Sequence, residues 1–158
     1  MKLRTLVVAL TVGWALFASP VAHALDATPI VKGISQTWRS GNLDAAYAAY
    51  RDLFNHPEFS AMRVLDQRSC FKLMILARGR DATRPAAIEA HQAAIPKLTA
   101  IIASEPEPND YLLLGISYEV VGDRTAAEAS YREGFRRERD RNASSDLGLE
   151  FMKRLSSF

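Results

Sequence analysis

Past residue 25 the apolar positions recur at three- and four-residue spacing, and no stretch alternates residue by residue as a half-buried strand would. Ile30, Val31, Ile34 and Trp38 share one face of a first helix that runs to about residue 40, with Thr28 as its N-cap and Pro29 at its first position. Gly41-Asn42 closes this helix, because both residue types tolerate the left-handed backbone of a helix end. A second helix over residues 43–54 sets Ala45, Ala46, Ala48 and Ala49 beside Tyr47, Tyr50, Leu53 and Phe54, so small side chains admit close contact and large ones fill the space around it. Pro57 and Glu58 suit a first turn, and the density of apolar residues from Phe59 to Leu76 predicts one long helix reaching residue 78. Residues 79–84, GRDATR, read as a polar loop. Pro85 then opens a fourth helix through Ile88, Ile95, Leu98, Ile101 and Ile102, with a kink or break expected near Ala93 because Pro96 lies inside it. The two prolines of EPEPND, residues 105–110, stop that helix. Helices over 109–121 and 124–139 follow, and Ser144-Ser145-Asp146 caps a last one whose Leu147, Phe151 and Leu155 form a single apolar stripe. The fold class expected is all-α.

The first 24 residues stand apart. Lys2 and Arg4 give a positive start, residues 6–17 are apolar, and Ala22-His-Ala24 has the small-x-small form that a signal peptidase accepts. A spanning helix needs roughly 20 apolar residues, so the run reads as a signal peptide cleaved after Ala24, leaving one domain over residues 25–158 in an exported, periplasmic or secreted chain. Loss of Lys2 and Arg4 changes the electrostatic picture, because it leaves 18 basic residues against 18 acidic ones. Nucleic-acid binding depends on excess Lys and Arg, so a neutral chain argues against that partner. The single cysteine, Cys70, cannot form an internal disulfide, and among Phe71, Leu73 and Met74 it reads as a buried, inert thiol.

The chain also repeats itself. GNLDAAYAAYRDLF, residues 41–54, matches GDRTAAEASYREGF, residues 122–135, at seven of fourteen positions. Around the second copy, Tyr111, Leu114, Gly115, Tyr118, Gly122, Ala127, Tyr131 and Gly134 follow the order of large and small residues in a helix-turn-helix unit. The pattern resembles a tetratricopeptide repeat. That resemblance implies antiparallel helix pairs stacked as a short right-handed solenoid of about three units, residues 28–56, 57–105 and 108–141, closed by a capping helix over 145–157. The two matching glycines are 81 residues apart, where two ordinary repeats would give 68, so the middle unit is overlong and its register is not fixed by sequence.

Family members line a concave groove with the first helix of each unit, and this groove holds a peptide or a partner's helix. Carried over by position, it comprises Thr28, Val31, Ser35, Trp38 and Arg39 from the first unit and Asn109, Leu112, Ile116, Glu119 and Val120 from the third. Trp38 reads equally as a core residue at a helix end. The function implied is a protein interaction module, a scaffold or adaptor for another exported or membrane protein. The alternatives are a binder of an apolar small molecule or lipid in the overlong middle unit, and a small exported hydrolase. His56 and His91 have no ligand-spaced Cys, Asp or Glu around them, and there is no GxSxG, HExxH or phosphate-loop motif, so neither metal, cofactor nor enzymatic activity is expected. With the leader removed, no stable membrane span is expected either.

Overall fold

Gly41 and Gly122 adopt φ of 85° and 86°, and each turns a helix back on its predecessor. The residue after each glycine begins the next helix: Asn42 Oδ1 accepts the Ala45 N–H at 3.3 Å and Asp123 Oδ1 accepts the Ala126 N–H at 3.0 Å. Asn42 is therefore an N-cap, not a second left-handed residue, and the Gly-Asn and Gly-Asp pairs perform one job at two places. The computed structural model describes residues 25–76 and 83–158, and every regular element among them is helical. In order these are α1 (Ala27–Arg39), α2 (Leu43–Asn55), a single 3-10 turn (Phe59–Ala61), α3 (Val64–Ile75), α4 (Pro85–Ser104), α5 (Pro108–Val121), α6 (Arg124–Arg141) and α7 (Asp146–Leu155). The leader read over residues 1–24 lies outside the described residues, as do residues 77–82, which include most of the expected 79–84 loop. No described helix is long and apolar enough to cross a membrane.

Three boundaries differ from the sequence reading. Asp26, not Thr28, caps α1, its carboxylate accepting the Thr28 N–H at 2.9 Å, where an acidic group also meets the positive end of the helix. The long helix expected over residues 57–78 is broken: Met62 and Arg63 are extended between the 3-10 turn and α3. Phe59 and Phe71 would lie about 18 Å apart along one continuous helix. The break instead folds Phe59 onto Phe71, ring centroids 5.5 Å apart, with Phe54 closing the cluster at 5.3 and 4.8 Å. Gln67 Nε2 donates to the Met62 carbonyl at 2.8 Å, satisfying an acceptor that the break frees. Conversely, α4 runs unbroken through Pro96. Pro96 and Gln92, whose carbonyl the proline cannot bond, are both exposed, so the orphaned acceptor faces solvent.

The core runs along the packing sequence α1 on α2, α2 on α4, α4 on α5, α5 on α6 and α6 on α7, with α3 set against α5. Close approach in the later half depends on missing side chains. The Tyr131 ring lies over Gly115, and Gly134 is covered by the Phe151 ring and by Tyr111 Cβ, 2.8 Å from where a methyl would stand. Tyr131 and Phe151 are fully buried as a result.

These contacts fix the sign of two alanine substitutions. Gly33 in α1 has open space around its Cβ direction, so Gly33→Ala should raise stability by about 0.5–1 kcal/mol through helix propensity. Gly115→Ala would gain the same propensity but forces a methyl into the Tyr131 ring, and should lower stability by about 2–3 kcal/mol. Urea unfolding of the two variants checks both signs.

Candidate interaction site

The N-terminal end of α1 and the length of α3 flank an open cleft of about 410 Å³. Its apolar lining comes from Val31 on α1, Met62 before α3, and Cys70 and Leu73 on α3. Asp26 and the Arg63–Asp66 pair stand among its polar groups, with Arg63 Nε 2.8 Å from Asp66 Oδ2 and Nη2 3.1 Å from Oδ1. Hydrogen bonding to Arg63 holds the Asp66 carboxyl below its ordinary range. Burial, reinforced by the Asp66 charge, pushes the Cys70 thiol up to about 11, so it lines the cleft as a neutral, unreactive group.

Beside the cleft, α3 exposes Leu65, Leu73 and Leu76 at 69%, 47% and 50%. Positions 65, 69, 73 and 76 lie along one face of the helix, so these leucines form a ridge continuous with the cleft wall. The other large exposed apolar residues among those described are Leu149 and Met152 on α7, and Phe158. None lies on α2, α4 or α6. The outer surface of α6 is instead laced with ion pairs, such as Arg132–Glu128 at 2.6 Å and Arg136–Glu133 at 2.7 Å.

The residues carried over from the resemblance divide between surface and interior. Val31 and Ser35 are half-buried and Arg39 is exposed, all at four-residue spacing along α1, with Val31 in the cleft lining. Trp38 is 6% exposed and packs edge-on against Tyr47 at 5.0 Å, which resolves its two readings toward the core. Leu112 and Ile116 are also buried, because α5 is enclosed by α3, α4 and α6. Glu119 is bonded to Arg154 of α7 at 2.9 Å, so its charge is already matched, and Val120 is half-buried. The α3 ridge was missed. The signal for it is an aromatic residue recurring every 40 positions, Phe71, Tyr111 and Phe151, all buried.

One pair has the composition of catalytic machinery without its setting. His91 Nδ1 lies 3.0 Å from Ser117 Oγ, and that hydroxyl donates to the Leu113 carbonyl at 3.0 Å. Both side chains are buried in the contact of α4 with α5. Ser117 is thus committed to the backbone, and the pair joins two helices.

Burial lowers the His91 pKa to about 4, so the folded chain holds a neutral imidazole while the unfolded chain protonates near 6.5. The unfolded state binds more protons between those values, and stability should therefore fall as pH drops from 6.5 to 4, by up to roughly 3 kcal/mol. Depressed carboxylates lose their contribution at lower pH: Glu133, held down to about 2 by Arg136 and Arg137, does so from its ordinary 4.5 downward. Denaturant midpoints measured at intervals between pH 4 and pH 7 check the window, and His91→Leu should flatten it. Trp38→Ala should lower stability by about 3–5 kcal/mol, read as a fall in melting temperature. No protein-family model matches this chain, and no curated protein or solved structure matches it.

Proposed function

We propose that the chain is an exported tetratricopeptide-like interaction module, which holds a segment of a partner protein against the face formed by α1, α3 and α7. The observation that carries this is the one-sided placement of exposed apolar surface. Leu65 and Leu73 lie on α3, Leu76 caps its end, and Leu149 and Met152 lie on α7, while no large apolar residue is exposed on α2, α4 or α6. Exposed apolar surface of that kind is retained where something covers it.

A repeat register supports the reading. Ala87, Ala90, His91 and Ala94 of α4 are buried, and so are Ala127, Ser130, Tyr131 and Gly134 of α6, each pair 40 residues apart. The same spacing relates Phe71 and Met74 of α3 to Tyr111 and Leu114 of α5. In this register the middle unit is α3 with α4, and α7 is the first helix of a further unit. The first helix of each unit lines the binding face in such arrays, so α3 supplies the groove positions that the overlong middle unit obscured. An apolar helix face or extended segment is the occupant such a groove accommodates.

A benzophenone amino acid placed at Leu73, on the ridge, should crosslink a discrete partner in cells, whereas the same group at Gln92 on the exposed side of α4 should not. Equal crosslinking at both positions, or none at Leu73, would remove the odd-helix face as the site.

A further inference from the structure

Two apolar strips run along α7, and the chain itself uses one of them. Leu147, Phe151 and Leu155 pack against the core, with Phe151 fully enclosed. Leu149 and Met152 stay 59% and 46% exposed. These two border a groove of about 410 Å³ between α7 and the end of α6. Ser145, Gly148, Leu149 and Met152 recur at three- and four-residue spacing, so one face of α7 forms a wall of that groove. Gly148 keeps its floor open, since a methyl there would stand 3.4 Å from Ser145 Oγ and 4.0 Å from the Phe135 ring. Phe135 and Arg139, one turn apart on α6, form the facing wall.

Arg139 is the one charged residue in this lining. Arg132, Arg136, Arg137 and Arg141 each hold a carboxylate of α6 itself. Arg139 has none within reach on its own helix, because Phe135, Arg136, Asn142 and Ala143 occupy the positions three and four residues away. It is exposed and makes no ion pair or hydrogen bond among the described residues. Asp140 beside it is bonded to Arg136 at 3.3 Å, and Asp146 lies outside the lining.

We infer that the α6–α7 groove seats an amphipathic helix of another protein, whose apolar side chains enter between Phe135, Leu149 and Met152 while one Asp or Glu meets Arg139. This rests on the proposal that exposed apolar surface on the odd-numbered helices receives a partner protein, and adds a seat and a chemistry for it. A single unmatched cation beside apolar walls is complementary to one anionic group next to apolar bulk. Small-molecule sites enclose most of their ligand. Leu149 and Met152 stand half open to solvent, so a lone apolar chain lying here would keep much of its surface in water. A helix laid into a groove brings its own polar outer side. Met and Arg are also among the side chains enriched in protein interfaces. Pairing of opposite charges at the rim sets association rate and selectivity more than final affinity, and it weakens with salt.

The test is selection of helix-forming random peptides by display against the purified protein, with the enriched peptides then synthesised and measured by fluorescence anisotropy. The expected peptides carry two apolar residues at helical spacing and an Asp or Glu one turn away. They should lose binding to Leu149→Glu, and lose about tenfold or more in affinity for Arg139→Glu at low salt, with a smaller loss at high salt. Both substituted positions are exposed, and unchanged helicity by circular dichroism confirms the fold. Peptides lost in Leu149→Glu but indifferent to Arg139→Glu, or enriched in Lys and Arg, overturn the acidic partner and leave α7 as an interaction surface. Peptides indifferent to Leu149→Glu but lost in Leu73→Glu overturn the α6–α7 groove and leave the α3 ridge standing. Peptides indifferent to both overturn the odd-helix face itself. Selection that enriches no peptide overturns the partner helix, and a rise in cis-parinaric acid fluorescence that Arg139→Glu abolishes would then reassign the groove to a fatty acid.

Discussion

The arrangement around the site depends on a single buried guanidinium. Arg68 of α3, 4% exposed at its side chain, donates through Nε and Nη2 to the fully enclosed Asp110 of α5 at 3.1 and 2.8 Å. Its remaining donors reach the Glu105 backbone carbonyl and the carboxylates of Glu105 and Glu107, the last two at 3.1 Å. Every face of the fork is occupied, which offsets the desolvation of a charge so deeply placed. Asp110 Oδ2 also accepts the Glu107 N–H at 3.2 Å, so the residue that receives Arg68 also organises the start of α5. Truncating Arg68 would leave Asp110 buried without its counterion, a loss of about 3–5 kcal/mol. Together with the packing of Phe71 on Phe54 and Phe59, this clamp sets where α3 stands relative to the other helices, and with it the width of the cleft.

Helix existence was legible because it follows from local chemistry. Gly41 and Gly122 announce turns, Pro85 sits at a helix start, and the Leu147, Phe151, Leu155 stripe buries Phe151 fully and the two leucines in part. What failed was the region where long-range contact overrules periodicity. Residues 57–78 are apolar enough for one helix, and nothing local forecasts that Phe59 must return to meet Phe71. The Arg68–Asp110 link spans 42 residues and has no sequence signature at all.

The carried-over groove shows a related limit. Position within a unit names which helix face a residue occupies, but exposure depends on what the neighbouring helices do. Val31 and Leu112 occupy corresponding faces, yet Val31 borders open space while Leu112 is enclosed. Glu119 likewise reads as a free acidic group until α7 brings Arg154 to it. The 40-residue recurrence of Phe71, Tyr111 and Phe151 is present in the sequence, and it departs from the 34-residue period that the resemblance implies.

The polar fastening of α3 has a dynamic consequence. An element secured by apolar packing on two sides opens only with its neighbours, whereas one secured chiefly at a charged clamp has its own, lower opening free energy. The first turn of α3 should therefore exchange its amides faster than the second half, where Phe71, Met74 and Ile75 are buried. Arg68 lies near the middle of α3, and beyond it Phe71, Met74 and Ile75 are buried, so the second half of the helix is held by packing as well and the first turn is held least. A helix held that way would loosen from its first turn, beside Met62 and Arg63 of the cleft lining, while the aromatic packing behind it stays in place.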